Sequence, residues 1–390
     1  MTPSSSSRPP PQILASQRDA SATHTRIKSL VVDVEIPHLI YHTYMVYNAP
    51  ITLNGGGGHG RGGCAEPHPP TADEDAPLRR QLTGAKSFVR SNPMSDLFGV
   101  ERFDHIEFWC GDAKTTSSRF GLALGLNLVA KSDQGTGNYE FASYVMQSNE
   151  ISMVFSAPYG NEHEAHGFFK AHGIAVRAVG VRVEDAAAAF EACVKHGGVA
   201  VTPPRVLTSG GKGDATGGTS TGKTIAEVRL YGDVVLRFVS GDYAGPHLPG
   251  YTAVHTEQNV SYGLRRMDHI VGNVPDLIAV RDYLMHCTGF HEFAEFVAED
   301  VGTVDSGLNS VVLTSNNEMV ILPVNEPTFN TPRKSQIQTY LEQNEGPGVQ
   351  HVALKTDDIF STLRKMREAT VRRCFSFLDV VLTRVWSSAV

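Results

Sequence analysis

Four segments of this 390-residue chain share one pattern in one register, and this repeat constrains the fold more than any other feature. In each segment, a run rich in β-branched and aromatic residues leads to an aspartate, and a helical stretch follows it. The segments are Phe103–Phe120, Ala175–Phe190, Met267–Leu284 and Val349–Met366. Such self-similarity predicts four copies of one supersecondary unit.

Strand-like runs after the helices predict the rest of the unit. In the first three copies, these runs are joined by turn residues, as at Gly232 and Asp233. Each copy is therefore expected to be a strand, a helix and about three more strands. The fourth copy matches only as far as its helix, before the end at Val390. The predicted class is α+β, with tandem βαβββ modules in two domains and an incomplete last module.

Three histidines occupy one register position of the repeat. The aligned aspartates are Asp112, Asp185, Asp276 and Asp358, and the position seven residues earlier holds His105, Ala178, His269 and His351. If the third and fourth units pack side by side, their two imidazoles converge. Two neutral imidazoles and a carboxylate suit iron, zinc, copper or nickel and leave positions for substrate and oxygen. The alternative for each histidine is a hydrogen-bonded core residue.

The first two units serve as an internal comparison. His105 has Ala178 as its counterpart, and an alanine cannot bind a metal. Because one ligand does not hold an ion, His105 is predicted to be structural, on a strand with Glu107 and Trp109. The first half is therefore expected to support the second.

Long motifs carry a resemblance to a known family. They are RMDHIVGNVP at 266–275, TGFHEFAEFVAEDVGT at 288–303, SGLNSVVLTSNNEMVILPVNEP at 306–327, RKSQIQTYLEQNEGPGVQHVAL at 333–354 and FDHIEFWCGDA from Phe103. Across residues 96–368 the chain resembles the plant 4-hydroxyphenylpyruvate dioxygenases. The resemblance implies the vicinal-oxygen-chelate (glyoxalase-like) fold of βαβββ modules, in agreement with the four-unit repeat.

The resemblance also implies a cofactor and a reaction. Fe(II) would be held by His269, His351 and a glutamate near the end of the fourth unit. The substrate's own 2-oxo acid would chelate the iron, with O2 beside it. Decarboxylation, ring hydroxylation and side-chain migration would then give homogentisate and CO2, a step of tyrosine and phenylalanine catabolism that feeds plastoquinone and vitamin E (tocopherol) synthesis.

Four polar residues are implied to bind the substrate: Ser310, Asn325, Gln336 and Gln350. They would orient the keto acid and the phenol by hydrogen bonds without adding a charge near the iron. Taken without the resemblance, Ser310 and Asn325 also fit strand ends or turns, and Gln336 fits an exposed helix position. Gln350 is the less certain assignment, because neighbours on a strand point to opposite faces.

The resemblance ends at about residue 369, where a divergent tail begins. No carboxylate there falls in a motif like that of the family's third ligand. We therefore expect this chain to be a C-terminally truncated dioxygenase of impaired activity. The alternative is a catalytically inactive relative that acts at most as a binding protein. A narrower alternative is a related reaction on the same substrate, with hydroxymandelate as the product.

Changes in composition divide the chain into four parts. Residues 1–97 are rich in Ser, Pro, Gly and His and are predicted to be a disordered extension, with a possible transit peptide at the start. Residues 98–245 form the two-module structural domain. Residues 246–264 are a linker, and residues 265–390 form the catalytic-type domain.

Charge and cysteine usage limit the partners and the compartment. A net charge of -7 argues against nucleic acid as a partner, and no apolar run long enough for a membrane span occurs. The cysteines are scattered, with no CxxC pair, and no secretory signal is present, so a reducing compartment is expected: cytoplasm or plastid, not secretion. The expected partners are a small 2-oxo acid and O2, with a homodimer as the assembly implied by the resemblance.

Overall fold

The computed structural model describes residues 30–35, 80–208, 222–256, 259–301 and 307–372, with 30–35, 301 and 370–372 described by their backbone only. The strands are β1 (Leu30–Glu35), β2 (Val100–Trp109), β3 (Asn127–Ser132), β4 (Phe141–Ser148), β5 (Ile151–Pro158), β6 (Ala175–Val183), β7 (Ala200–Thr208), β8 (Gly222–Tyr231), β9 (Val234–Ser240), β10 (Thr252–Ala253), β11 (Leu264–Asn273), β12 (His291–Phe296), β13 (Leu308–Thr314), β14 (Ile321–Pro327) and β15 (Gly348–Thr356). The α-helices are α1 (Ala113–Leu124), α2 (Glu164–His172), α3 (Ala186–Lys195), α4 (Leu277–Thr288), α5 (Ala298–Val301), α6 (Gln336–Gln343) and α7 (Ile359–Arg372). None of these helices is long and apolar enough to cross a membrane.

Two sheets carry the repeated units. The first half has the nine-stranded order β10-β3-β4-β5-β2-β6-β9-β8-β7, and the second half has the six-stranded order β1-β15-β11-β14-β13-β12. In the first three units, the last strand runs parallel to the first: β5 beside β2, β9 beside β6, and β14 beside β11. The first strands of paired units run antiparallel, β2 beside β6 and β11 beside β15. The predicted α+β class with βαβββ modules is confirmed.

The four repeat aspartates begin the four repeat helices. Asp112, Asp185 and Asp276 cap the first turn by accepting backbone N–H groups, and Asp358 accepts the N–H of Ser361 at 3.0 Å. A side-chain oxygen at this place satisfies a donor that has no partner inside the helix. Each unit therefore turns from strand to helix at the same point, which sets the common register.

A β-bulge lies next to the register position in all four units. The pairing of the first strands skips Asp104, Arg177, Asp268 and Gln350, each directly before the register residue. A bulge bends its strand and changes the direction of a side chain. The side chain before each register position therefore need not point to the opposite face of the sheet. It can lie beside the side chain of the register residue.

Two stretches of the amino-terminal region are ordered, and the prediction that residues 1–97 lack structure is wrong for them. Strand β1 pairs antiparallel with β15. Residues 80–97 pack on the second half, where the buried Glu295 accepts hydrogen bonds from Arg80 (3.0 Å) and from the Gly84 backbone (2.9 Å). A buried carboxylate needs hydrogen-bond donors, and residues 80–97 supply them to Glu295, which explains why this segment is held against the second half. Residues 1–29, with the transit-peptide prediction, and 36–79 lie outside the described residues.

The predicted linker is partly built into the first sheet. Strand β10 pairs with β3, and Leu248 is buried with Ile225 and Val239. Apolar side chains in this stretch explain its attachment to the sheet. The two halves also share a core: the Phe98 ring packs against Phe238 of one half and Phe290 of the other.

Candidate metal and substrate site

His269 and His351 lie together on one face of the second sheet. His269 pairs with Ala353, and His351 pairs with Val271, so the histidines are diagonal neighbours across β11 and β15. Their ring centroids are 5.8 Å apart, with 77° between the ring planes. The His269 side chain is 23% exposed, so small molecules can reach it from solvent. The structure therefore brings together the two histidines that the repeat selected.

The bulge residues orient both rings. The Nδ1 atom of His269 lies 3.1 Å from a carboxylate oxygen of Asp268, and the Nδ1 atom of His351 lies 3.0 Å from the Oε1 atom of Gln350. With Nδ1 donating to oxygen, Nε2 carries the ring's lone pair, and such a partner is common behind metal-binding histidines. The bulges thus explain how each histidine contacts its own chain neighbour.

Asp268 remains a carboxylate in this setting. Burial favours the neutral acid, but the hydrogen bond to His269 and the positive charges of Arg266 and Lys355 outweigh it and hold the pKa of Asp268 below its ordinary value. One Arg266 nitrogen lies 3.4 Å from the second carboxylate oxygen. A negative partner makes the imidazole of His269 a stronger electron donor.

Ser310 and Asn325 form a buried polar row with a residue that the sequence did not identify. Ser310 and Asn325 are direct partners across β13 and β14, and Asn325 is the partner of Asn273 on β11. Asn325 donates to the Oδ1 atom of Asn273 at 3.2 Å. The Nδ2 group of Asn273 is buried with no hydrogen-bond acceptor among the described residues. Because Asn273 follows His269 by four positions, it shares the histidine's face, roughly 13 Å along the strand.

The other two predicted substrate residues have different surroundings. The Gln350 side chain contacts His351. The two side chains therefore lie together, although the residues are consecutive on one strand. Gln336 is the half-buried first residue of α6, directly after the cap Ser335. No hydrogen bond among the described residues joins Gln336 to Ser310, Asn325 or Gln350. The structure therefore groups three of the four residues near the histidine face or its polar row.

The equivalent place in the first half holds a buried cation. His105 is fully buried, its Nδ1 atom lies 2.7 Å from Asp104, and its Nε2 atom lies 3.0 Å from the guanidinium of Arg237. Arg237 also bonds Glu107 at 2.7 Å and Glu227 at 2.6 Å. Burial opposes ionisation of Glu107, but the charge and hydrogen bonds of Arg237 outweigh it and lower its pKa to about 2. His105 thus belongs to a structural ion cluster.

The described residues bring two candidate ligands together but no complete triad. No group of three or more His, Cys, Asp or Glu side chains in the described part of the chain is arranged to hold a metal. The truncation and the missing glutamate were predicted for the tail from about 369. Residues up to Arg372 continue α7, and 373–390 lie outside the described residues. The paired imidazoles, each with its Nδ1 bonded to oxygen, are nevertheless a donor set that fits a divalent transition metal.

Comparisons with known proteins define the class and then the family. The model of the Glyoxalase/Bleomycin resistance protein/Dioxygenase superfamily matches residues 102–217 and 266–374. A 4-hydroxyphenylpyruvate dioxygenase of Plectranthus scutellarioides is 53% identical over 323 residues, which cover 77% of this chain and 71% of the relative. One of Arabidopsis thaliana is 48% identical, with 76% and 70% covered. The chain belongs to the 4-hydroxyphenylpyruvate dioxygenase family of that superfamily.

A solved structure supports the fold. A mutant of 4-hydroxymandelate synthase from Streptomyces coelicolor matches with a TM-score of 0.60 at 18% identity, covering 70% of this chain and 75% of that one. At this identity, the similarity supports the fold alone, that is, the arrangement of the modules. The vicinal-oxygen-chelate fold implied by the family resemblance is therefore confirmed.

Proposed function

We propose that this chain is an Fe(II)-dependent 4-hydroxyphenylpyruvate dioxygenase that converts 4-hydroxyphenylpyruvate and O2 to homogentisate and CO2. The observation that carries the proposal is the pair of imidazoles of His269 and His351, 5.8 Å apart on one sheet face. Family membership at 53% identity supplies the reaction class. Bound iron would supply the redox centre and the template for the keto acid and O2.

Each residue of the site has a task in this proposal. His269 and His351 hold the metal, while Asp268 and Gln350 fix the ring orientations through Nδ1. Neutral side chains suit the substrate end, because an added charge there would compete with the 2-oxo acid for the metal. Three of these neutral side chains lie in the row Asn273, Asn325 and Ser310. Gln336, at the start of α6, is proposed to contact the substrate from outside this row.

The proposal also covers the pathway, the compartment and the assembly. The reaction would belong to tyrosine catabolism and feed plastoquinone and tocopherol synthesis, in the cytoplasm or plastid, and the working assembly would be a homodimer. The second candidate is a catalytically inactive relative that binds a 2-oxo acid. It is favoured by the two-ligand site of the described residues.

Oxygen consumption by the purified full-length chain separates these candidates. After anaerobic loading with Fe(II), we expect uptake of one O2 for each 4-hydroxyphenylpyruvate and release of homogentisate, which chromatography distinguishes from hydroxymandelate. His269→Ala and His351→Ala should abolish both, because one imidazole does not hold the ion. His286→Ala, an exposed histidine on α4, is the matched control. Uptake that persists in His269→Ala would rule out the proposed site.

A further inference from the structure

Two buried cysteines from different halves of the chain lie side by side. Cys193 is on α3 of the second unit, and Cys287 is on α4 of the third unit. Their relative exposures are 0% and 1%, and both are free thiols. The two helices pack against each other, and the thiol of Cys193 donates a hydrogen bond to the sulfur of Cys287. This contact brings two oxidisable sulfur atoms together across the boundary between the halves.

Polar contacts outside the sulfur pair hold α4 in this position. Tyr283 lies one turn before Cys287, so the two side chains share a face of α4. The Tyr283 hydroxyl donates to the backbone oxygen of Arg229 at 2.7 Å and accepts the backbone N–H of Val199 at 3.2 Å. Both partners belong to the first half. The approach of the two sulfur atoms is thus fixed by the surrounding fold and does not depend on a bond between them.

We propose that Cys193 and Cys287 form a reversible disulfide bond that links the two halves when a peroxide is present. The sulfur of Cys287 attacks one oxygen of hydrogen peroxide, which breaks the O–O bond, gives a sulfenic acid and releases water. The sulfur of Cys193 then displaces the hydroxyl group of that sulfenic acid as a second water, and the S–S bond forms. Two thiols lose two electrons and two protons, and one peroxide is reduced to two waters. This inference is independent of the proposed dioxygenase activity.

The two sulfur atoms have different parts in this reaction, because the thiolate is the form that attacks. The hydrogen bond from Cys193 lowers the pKa of the Cys287 thiol against the opposing effect of burial. The same hydrogen bond, together with burial, raises the pKa of the Cys193 thiol. Cys287 is therefore the sulfur that the peroxide oxidises first, and Cys193 is the one that closes the bond.

Cys110 shows the alternative, a thiol that only packs. It is fully buried too, but its sulfur donates to the backbone oxygen of Ser156 at 3.5 Å rather than to another sulfur. Burial raises its pKa to about 11, so little thiolate is present at neutral pH. Cys110 is therefore the matched control for the pair.

The test is a peptide map of the full-length chain, purified without added iron and treated with hydrogen peroxide while folded. We expect mass spectrometry to find the peptides of Cys193 and Cys287 joined by a disulfide, which dithiothreitol reverses. The oxidised chain should unfold at a urea concentration roughly 1 M higher than the reduced chain, because the cross-link closes a long loop. The control Cys110→Ser should form the same disulfide and show the same shift.

Two single substitutions test the order of the steps. Cys193→Ser should leave a sulfenic acid at Cys287 that dimedone labels, since the serine hydroxyl still donates to that sulfur. Cys287→Ser should leave Cys193 unlabelled. Labelling of Cys193 in Cys287→Ser, with none of Cys287 in Cys193→Ser, would overturn the assigned roles.

The map of the parent chain decides the inference itself. Recovery of Cys193 and Cys287 as free thiols from the folded, peroxide-treated parent would overturn it. A disulfide of either residue with Cys64, Cys110 or Cys374 instead, or one that forms only after unfolding in urea, would overturn it as well. Because the parent's map needs no substitution, it remains decisive if circular dichroism shows that a variant does not fold.

Discussion

Replacing Arg237 by methionine tests whether a buried ion cluster holds the first half together. The side chains of Arg237, Glu107 and Glu227 are only 12%, 11% and 9% exposed. Methionine fills most of the same space but removes the charge, and two carboxylates then face each other with no cation. Removing one partner of a buried ion pair costs about 3–5 kcal/mol, so we expect a loss of that size in the free energy of unfolding at neutral pH.

The pKa of Glu107 gives a second measure of the same interaction. Burial opposes its ionisation, yet Arg237 and its hydrogen bonds lower the pKa from 4.5 to about 2. A change of this size corresponds to about 3 kcal/mol. Because the folded-state pKa is lowered, the stabilisation is complete above pH 4.5 and is lost as the pH falls toward 2. The difference in the free energy of unfolding between the parent and Arg237→Met should therefore become smaller as the pH falls below 4.5.

Urea unfolding followed by tryptophan fluorescence measures this difference. Trp109 is a local reporter, since its indole N–H donates to Glu107 at 3.2 Å. The control is Arg237→Met combined with Glu107→Gln and Glu227→Gln, in which no unpaired charge remains and most of the lost stability should return. Equal unfolding midpoints for the parent and Arg237→Met at pH 7, or a difference that widens between pH 4.5 and 3, would refute the reasoning.

Three further changes have defined outcomes. Asp276→Ala removes the cap of α4 and should lower the unfolding free energy by about 1 kcal/mol in urea titrations, whereas an unchanged value would contradict the capping role. Asp268→Asn should weaken Fe(II) binding about 10- to 100-fold in calorimetry, because the partner of His269 loses its charge; unchanged affinity would contradict its orienting role. Glu295→Gln weakens the anchor of residues 80–97 at Arg80, so limited proteolysis should cut there faster than in the parent, and equal rates would show that other contacts hold the segment.

Local signals in the sequence were enough to predict the repeated unit. The aspartates at the helix starts act through the adjacent turn, so Asp112, Asp185, Asp276 and Asp358 could be aligned without knowledge of the tertiary fold. That alignment gave the register of the histidines, and the alternation of the strands gave the module. The fold class follows from these short-range patterns, whereas the convergence of His269 and His351 also requires the third and fourth units to pack side by side.

Features that depend on which strands pair, and in which register, could not be predicted from the sequence. A bulge is decided by the register between two strands, so the alternation rule alone separated Gln350 from His351 although they are in contact. Asn273 and Arg237 were missed because their partners lie on strands distant along the chain. Strand β1 did carry a signal, the alternation of LVVDVE, but its low-complexity surroundings outweighed it.

The duplication places a histidine at the same position of both sheets but in different surroundings. In each sheet, the Nδ1 atom of a first-strand histidine lies beside the carboxylate of the preceding bulge residue, Asp104 or Asp268. In the first half, the guanidinium of Arg237 bonds the Nε2 atom of His105, so a charge of the protein already occupies the nitrogen that would otherwise bind a metal. In the second half, the ring of His269 lies beside that of His351, with 5.8 Å between the ring centroids. The neighbour of the second ring nitrogen therefore distinguishes a salt cluster from a candidate metal site on the same scaffold.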